Sequence, residues 1–118
     1  MKKFLILFLI LMFTASSAFA VCGSARKVVT TAGTAVQLST TFTTIDSIEI
    51  CAESDNTGWI AVSAGGTPVA TVGATQVGTN LGAGDCYSPA LEQGYNLTKI
   101  KINSTVNGDG VTYDYCSN

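Results

Sequence analysis

The spacing of apolar positions changes once along the chain, near residue 20. Behind Lys2 and Lys3, Phe4 to Phe13 is an unbroken apolar run, and 14–20 turns small and weakly polar, ending Ala18-Phe19-Ala20. A positive start, an apolar core and an A-x-A ending form the pattern of a secretory signal peptide. A spanning helix needs ~20 apolar residues, and this run is about half that length, so a cleaved leader over 1–20 is expected rather than an anchor. Cys22 raises a lipoprotein reading, but Val21 beside it is bulky for that processing. A secreted domain over 21–118 is expected to follow.

Beyond the leader no helical period is present. Thr, Val and Ile, stiff at the β-carbon and suited to a pleated surface, dominate the apolar positions. Over 46–53, Ile48, Ile50 and Ala52 alternate with Ser47, Glu49, Cys51 and Glu53. Over 59–63, Ile60 and Val62 alternate with Trp59, Ala61 and Ser63. Over 97–103, Ile100 and Ile102 share a face with Thr98, against Leu97, Lys99 and Lys101. Over 111–115, Val111, Tyr113 and Tyr115 oppose Thr112 and Asp114. Shorter strands are expected at 26–31, 35–39, 69–72, 76–81 and 86–91. Pro89 marks the last of these as an edge or a strand end.

Turn residues punctuate these runs at 54–58, 65–68, 82–85 and 107–110. Asn107-Gly108-Asp109-Gly110 is the clearest hairpin signal, because Asn-Gly and Asp-Gly tolerate the positive φ of tight turns. Roughly seven to nine short strands without helices predict an all-β fold, a single antiparallel β-sandwich that is jelly-roll-like and carries two disulfides. Its expected core is Val36, Leu38, Ile48, Ile50, Ile60, Val62, Ile100, Ile102, Val111 and Tyr113.

Cysteine usage supports export. Cys22, Cys51, Cys86 and Cys116 all lie beyond the leader, and an even count in a short exported chain reads as two disulfides. A zinc site finds no histidine and no C-x-x-C pair. Three pairings are open. Cys22 precedes the first strand and Cys116 follows the last, and such strands often pair, which favours Cys22–Cys116 with Cys51–Cys86.

Several stretches resemble small β-domains of tailed-phage virion proteins. They are Gly33-Thr34-Ala35-Val36-Gln37-Leu38-Ser39, Asp46-Ser47-Ile48-Glu49-Ile50, Asn56-Thr57-Gly58-Trp59-Ile60-Ala61-Val62 and Leu81-Gly82-Ala83-Gly84-Asp85, followed by the closing run 97–113. The resemblance covers most of 21–118 in the same order, here in a secreted, disulfide-containing form. It implies a compact sandwich that builds or decorates a particle surface without catalysis.

Charge and chemistry narrow the function further. After the leader the basic residues are Arg26, Lys27, Lys99 and Lys101 against eight acids, a net charge of −4. That balance lacks the footprint for nucleic acid and for anionic membranes. Without histidine there is no Ser-His-Asp or Cys-His constellation. Glu49 and Glu53 share a strand face but lie ~13 Å apart at ~3.3 Å per residue, wider than the ~5–9.5 Å of paired glycosidase carboxylates. The expectation is therefore no enzyme, no cofactor and no metal.

Asp55-Asn56 near Glu53 lacks calcium-loop spacing, and Gly82-Ala83-Gly84 precedes no helix; both read as turns. Trp59 is expected on an outer sheet face, where an indole stacks on a sugar, anchors a protein contact or covers a neighbouring disulfide or loop. Asn96-Leu97-Thr98 and Asn103-Ser104-Thr105 match glycosylation sequons. The leading expectation is a secreted, periplasmic or surface structural protein that self-associates or joins a surface or virion protein, with a free sheet edge near Val69 or Pro89 as the contact. The alternative is a secreted glycan- or protein-binding module using Trp59.

Overall fold

The computed structural model describes residues 20–70 and 77–117. The expected leader, apart from Ala20, lies outside the described residues, as do residues 71, 72 and 76 of two expected strands. The described chain contains ten strands, β1 (Val21–Val28), β2 (Val36–Gln37), β3 (Thr44–Ile45), β4 (Ser47–Ala52), β5 (Ile60–Ala64), β6 (Thr79–Leu81), β7 (Cys86–Tyr87), β8 (Tyr95–Asn96), β9 (Ile100–Ser104) and β10 (Gly110–Ser117). A single 3₁₀ turn, Leu97–Lys99, precedes β9.

The strands form two four-stranded antiparallel sheets, ordered β1-β10-β4-β7 and β2-β9-β5-β6, and a small β3-β8 pair. The alternating residues face inward as expected. Ile48, Ile50, Ala52, Val111 and Tyr113 come from the first sheet, and Ile60, Val62, Leu81, Ile100 and Ile102 from the second, into one buried cluster. Each such side chain contributes ~1.5–3 kcal/mol before entropy is charged. The result is an all-β sandwich with two disulfides.

Several local features differ from the sequence expectation. β1 begins at Val21, five residues before the expected start. Val36 is half-buried, because β2 is a two-residue edge strand. Residues 97–99 coil because the Asn96 side-chain oxygen accepts from the Thr98 N–H at 3.0 Å, which turns Leu97 into the core. Val69 forms an isolated bridge with Val77 rather than an edge strand. Pro68 lies over the outer face of the second sheet, where Ala61 is buried, and the Asn103 amide donates to the Pro68 carbonyl at 3.0 Å.

The connections fall at two ends. The turn end gathers the loops after β1, β4, β6 and β9. The terminal end carries the β2–β4 and β7–β9 connections, with Val21 paired to Ser117. There β3 and β8 close the core over Ile45 and Leu97.

Candidate functional site

Both disulfides join residues that are direct partners across neighbouring strands of the first sheet. Cys22 bonds Cys116 between β1 and β10, and Cys51 bonds Cys86 between β4 and β7, with Cα atoms 4.0 Å apart in each case. This is the connectivity the sequence favoured. Among the described residues no helix is long and apolar enough to cross a membrane. Two disulfides with no free thiol fit an oxidising, extracellular type of compartment.

The first bridge also reveals what β1 offers. Antiparallel partners alternate between pairs that exchange backbone hydrogen bonds and closer pairs that do not. At 4.0 Å, Cys22 and Cys116 belong to the close, non-bonded kind. Cys22, Ser24, Arg26 and Val28 therefore turn their N–H and C=O groups away from β10. Val29 fits this alternation, since it donates to the Asp109 carbonyl and accepts from the Gly108 N–H on the β10 side. Among the described residues no strand covers the far side of β1. Gly23 in this strand makes room for Tyr115, whose hydroxyl would lie 2.6 Å from any added Cβ.

Of the edges expected near Val69 or Pro89, Val69 is instead paired with Val77, whereas β7, just before the buried Pro89, is an edge strand of the first sheet but only two residues long. The long open edge is β1, eight residues, which the sequence pattern did not single out.

The turn end is built around Asp109. Its buried carboxylate accepts from the Gly58 N–H at 2.7 Å and from the Thr57 N–H at 3.1 Å, and it faces the Ser104 hydroxyl at 3.4 Å. Gly58 has no substitute here, because an added Cβ would run into the Thr105 hydroxyl. Asn56 locks the same loops, donating to the Gly110 carbonyl at 2.8 Å and accepting from its N–H at 2.9 Å. Its amide is thus spent on turn chemistry. Asn107 holds the fourth side by accepting from the Ala32 N–H at 2.6 Å.

Trp59 stands on this braced platform. Its backbone N–H donates to the Thr105 hydroxyl at 3.0 Å, and its carbonyl accepts from the Thr105 N–H at 3.2 Å. The indole is 45% exposed, and its six-membered ring lies over Gly82. It both covers a loop and presents an open aromatic face. Phe42, 72% exposed, lies in the β2–β3 connection at the opposite end, so the two rings do not share one surface.

The remaining polar candidates are accounted for by local contacts. Glu53 is held by Arg26 through two hydrogen bonds, one of them Nη2 to Oε2 at 2.7 Å. That guanidinium holds the Glu53 carboxyl below the usual carboxylate range. Glu49 instead lies directly opposite Asp114, both exposed, so Glu49 and Glu53 do not converge on one point. The Asp85 carboxylate accepts from the Gly82 N–H at 2.9 Å, closing that loop as a turn. Asn103 is buried, and its amide nitrogen is engaged by Pro68, which closes that sequon to modification in the folded state. Among the described residues no group of three or more His, Cys, Asp and Glu side chains is placed to hold a metal ion.

No family model, no curated protein and no solved structure matches this chain.

Proposed function

We propose that the protein is a non-enzymatic, exported structural protein that works by self-association of its β-sandwich. The observation that carries this reading is β1, an eight-residue strand whose outward backbone groups have no strand beside them among the described residues. Such an edge is a template for another chain. The Cys22–Cys116 bond pins the edge to the sheet, so it meets a partner as a preformed strand. Jelly-roll connectivity belongs to the same reading. It is supported by strand order, since β1 and β2, β4 and β5, β6 and β7, and β9 and β10 lie in opposite sheets. The setting that fits is an exported counterpart of the small sandwich domains of tailed-phage virion proteins, building or decorating a surface.

Ser24→Pro tests the reading. The Ser24 N–H faces the open side, so proline there spares the β1–β10 ladder while blocking a new one. Sedimentation velocity at rising concentration is expected to show oligomers for the wild type and smaller species for the variant, which has lost the β1 contact. A wild type that stays strictly monomeric at high concentration overturns the proposal.

A second reading has its own observation, the half-exposed indole of Trp59 on a braced loop end. It makes the protein a binding module for glycan or a partner protein. Glycan-array screening of the wild type and Trp59→Ala decides its glycan form, which requires binding that the variant loses.

A further inference from the structure

The two outer faces of the sandwich carry opposite charge. On the first sheet, Glu49 and Asp114 are direct cross-strand partners, both exposed, and both line a groove of about 510 Å³ beside Ser88 and Leu91. Like charges placed opposite each other are destabilising in an isolated sheet. On the second sheet, Lys99 and Lys101 line a groove of about 490 Å³ with Gln37, Thr98 and Tyr95. The strand partners of Lys101 are Gln37 and Ser63, both neutral. Among the described residues the ion pair found is Arg26 with Glu53, which leaves all four of these groups without an opposite charge in contact.

Their positions match as well as their signs. β9 and β10 are joined by the tight turn 105–109, so the start of β9 and the end of β10 lie at the same end of the molecule. Lys101 is the second residue of β9, and Asp114 lies in the second half of β10. Both patches therefore sit toward the terminal end, on opposite sides.

We infer that the lysine groove on the second sheet of one copy docks on the Glu49–Asp114 face of the first sheet of the next. This rests on the self-association reading and supplies what an edge contact lacks. Antiparallel pairing of β1 with β1 is isologous and closes at two copies, whereas a contact between different faces is heterologous and repeats. The occupant of the acidic face is a second copy of this chain. Its lysines relieve the repulsion between Glu49 and Asp114, and the acids neutralise two cations that have no counter-charge at home.

The test uses two full-length variants, Glu49→Lys with Asp114→Lys, and Lys99→Glu with Lys101→Glu. The first makes both faces basic and the second makes both acidic. Light scattering and sedimentation are expected to show wild-type assemblies beyond the dimer. Each variant alone is expected to associate at least about tenfold more weakly, the equivalent of ~1.4 kcal/mol. An equimolar mixture regains assembly, because every face then meets its opposite. Raising the salt to ~1 M, where the Debye length is ~3 Å, weakens the wild-type stack. The neutral pair Glu49→Gln with Asp114→Asn reads the same loss without placing cations on the sheet. If the wild type assembles and all three variants assemble equally well, the charged-face contact is wrong and the β1 edge reading stands. If the wild type is monomeric throughout, both fail.

Discussion

Asp109 shows how one side chain organises a whole end of the molecule. Its carboxylate satisfies backbone donors of the β4–β5 loop from within the β9–β10 loop. Leaving those partly buried donors unpaired costs ~1–3 kcal/mol each before water compensates. Asp109→Ala is therefore expected to lower unfolding stability by about 2–4 kcal/mol, read as a shift in the urea midpoint. Trp59→Ala should cost less, since the indole is only half covered, and the two variants separate bracing from display. The sequence showed Asp109 as a turn residue and no more, because its partners lie some fifty positions away.

Glu53 yields a pH prediction at the same scale. Its carboxyl is held below the ordinary range by the hydrogen bond and charge of Arg26. A depressed folded value contributes stability above the unfolded pKa, and the contribution is lost as pH falls through the folded value. Arg26 is largely exposed, so solvent screening keeps the contribution small. Glu53→Gln is expected to lose less stability than the wild type between pH 7 and pH 3, measured as the difference in urea midpoint. An identical loss in both proteins contradicts this role for the pair.

Among the elements, β4, β5, β9 and β10 were legible because large apolar residues alternate with polar or small ones, which writes a period of two into the sequence, even though Ala61 and Asn103 on the outer side of β5 and β9 are covered as well. The inward set Ile48, Ile50, Ile60, Val62, Ile100, Ile102, Val111 and Tyr113 is buried as that pattern required. β1 was legible only from Arg26 onward. Most of its residues are exposed, and an edge strand that buries so little has no alternation to show. β3 and β8 are two residues each, below any periodic signal, and the core residues Ile45 in β3 and Leu97 just after β8 were missed with them.

The disulfides were legible from cysteine count and strand order, and their elements predict different losses. Cys22–Cys116 spans 94 positions and Cys51–Cys86 spans 35. In the loop-entropy account each contributes ~2–4 kcal/mol, the longer loop about 1 kcal/mol more. Cys22→Ala with Cys116→Ala should therefore lower Tm further than Cys51→Ala with Cys86→Ala. It should also release β1, seen as faster amide exchange over Val21–Val28. Equal Tm losses with β1 still protected would show that the ladder to β10 holds without its bond.

At the scale of the molecule, the acidic composition gave the net charge but not its distribution. Lys101, with Lys99 in the turn just before it, falls on one layer and Glu49 and Asp114 on the other because β9 lies in a different sheet from β4 and β10, a consequence of topology that no local pattern records. The open side of β1 is likewise a property of strand order. The fold class could be read from alternation and turns, while the surfaces proposed for assembly appear only once the strands are placed.

The central claim is that β1 meets a strand of another copy, and amide exchange followed residue by residue tests it directly. With the mature protein at low and high concentration, the Ser24, Arg26 and Val28 amides should gain protection as concentration rises, while their bonded neighbours Ala25 and Lys27 change little. Exchange at Ser24, Arg26 and Val28 that stays fast and independent of concentration would contradict the account.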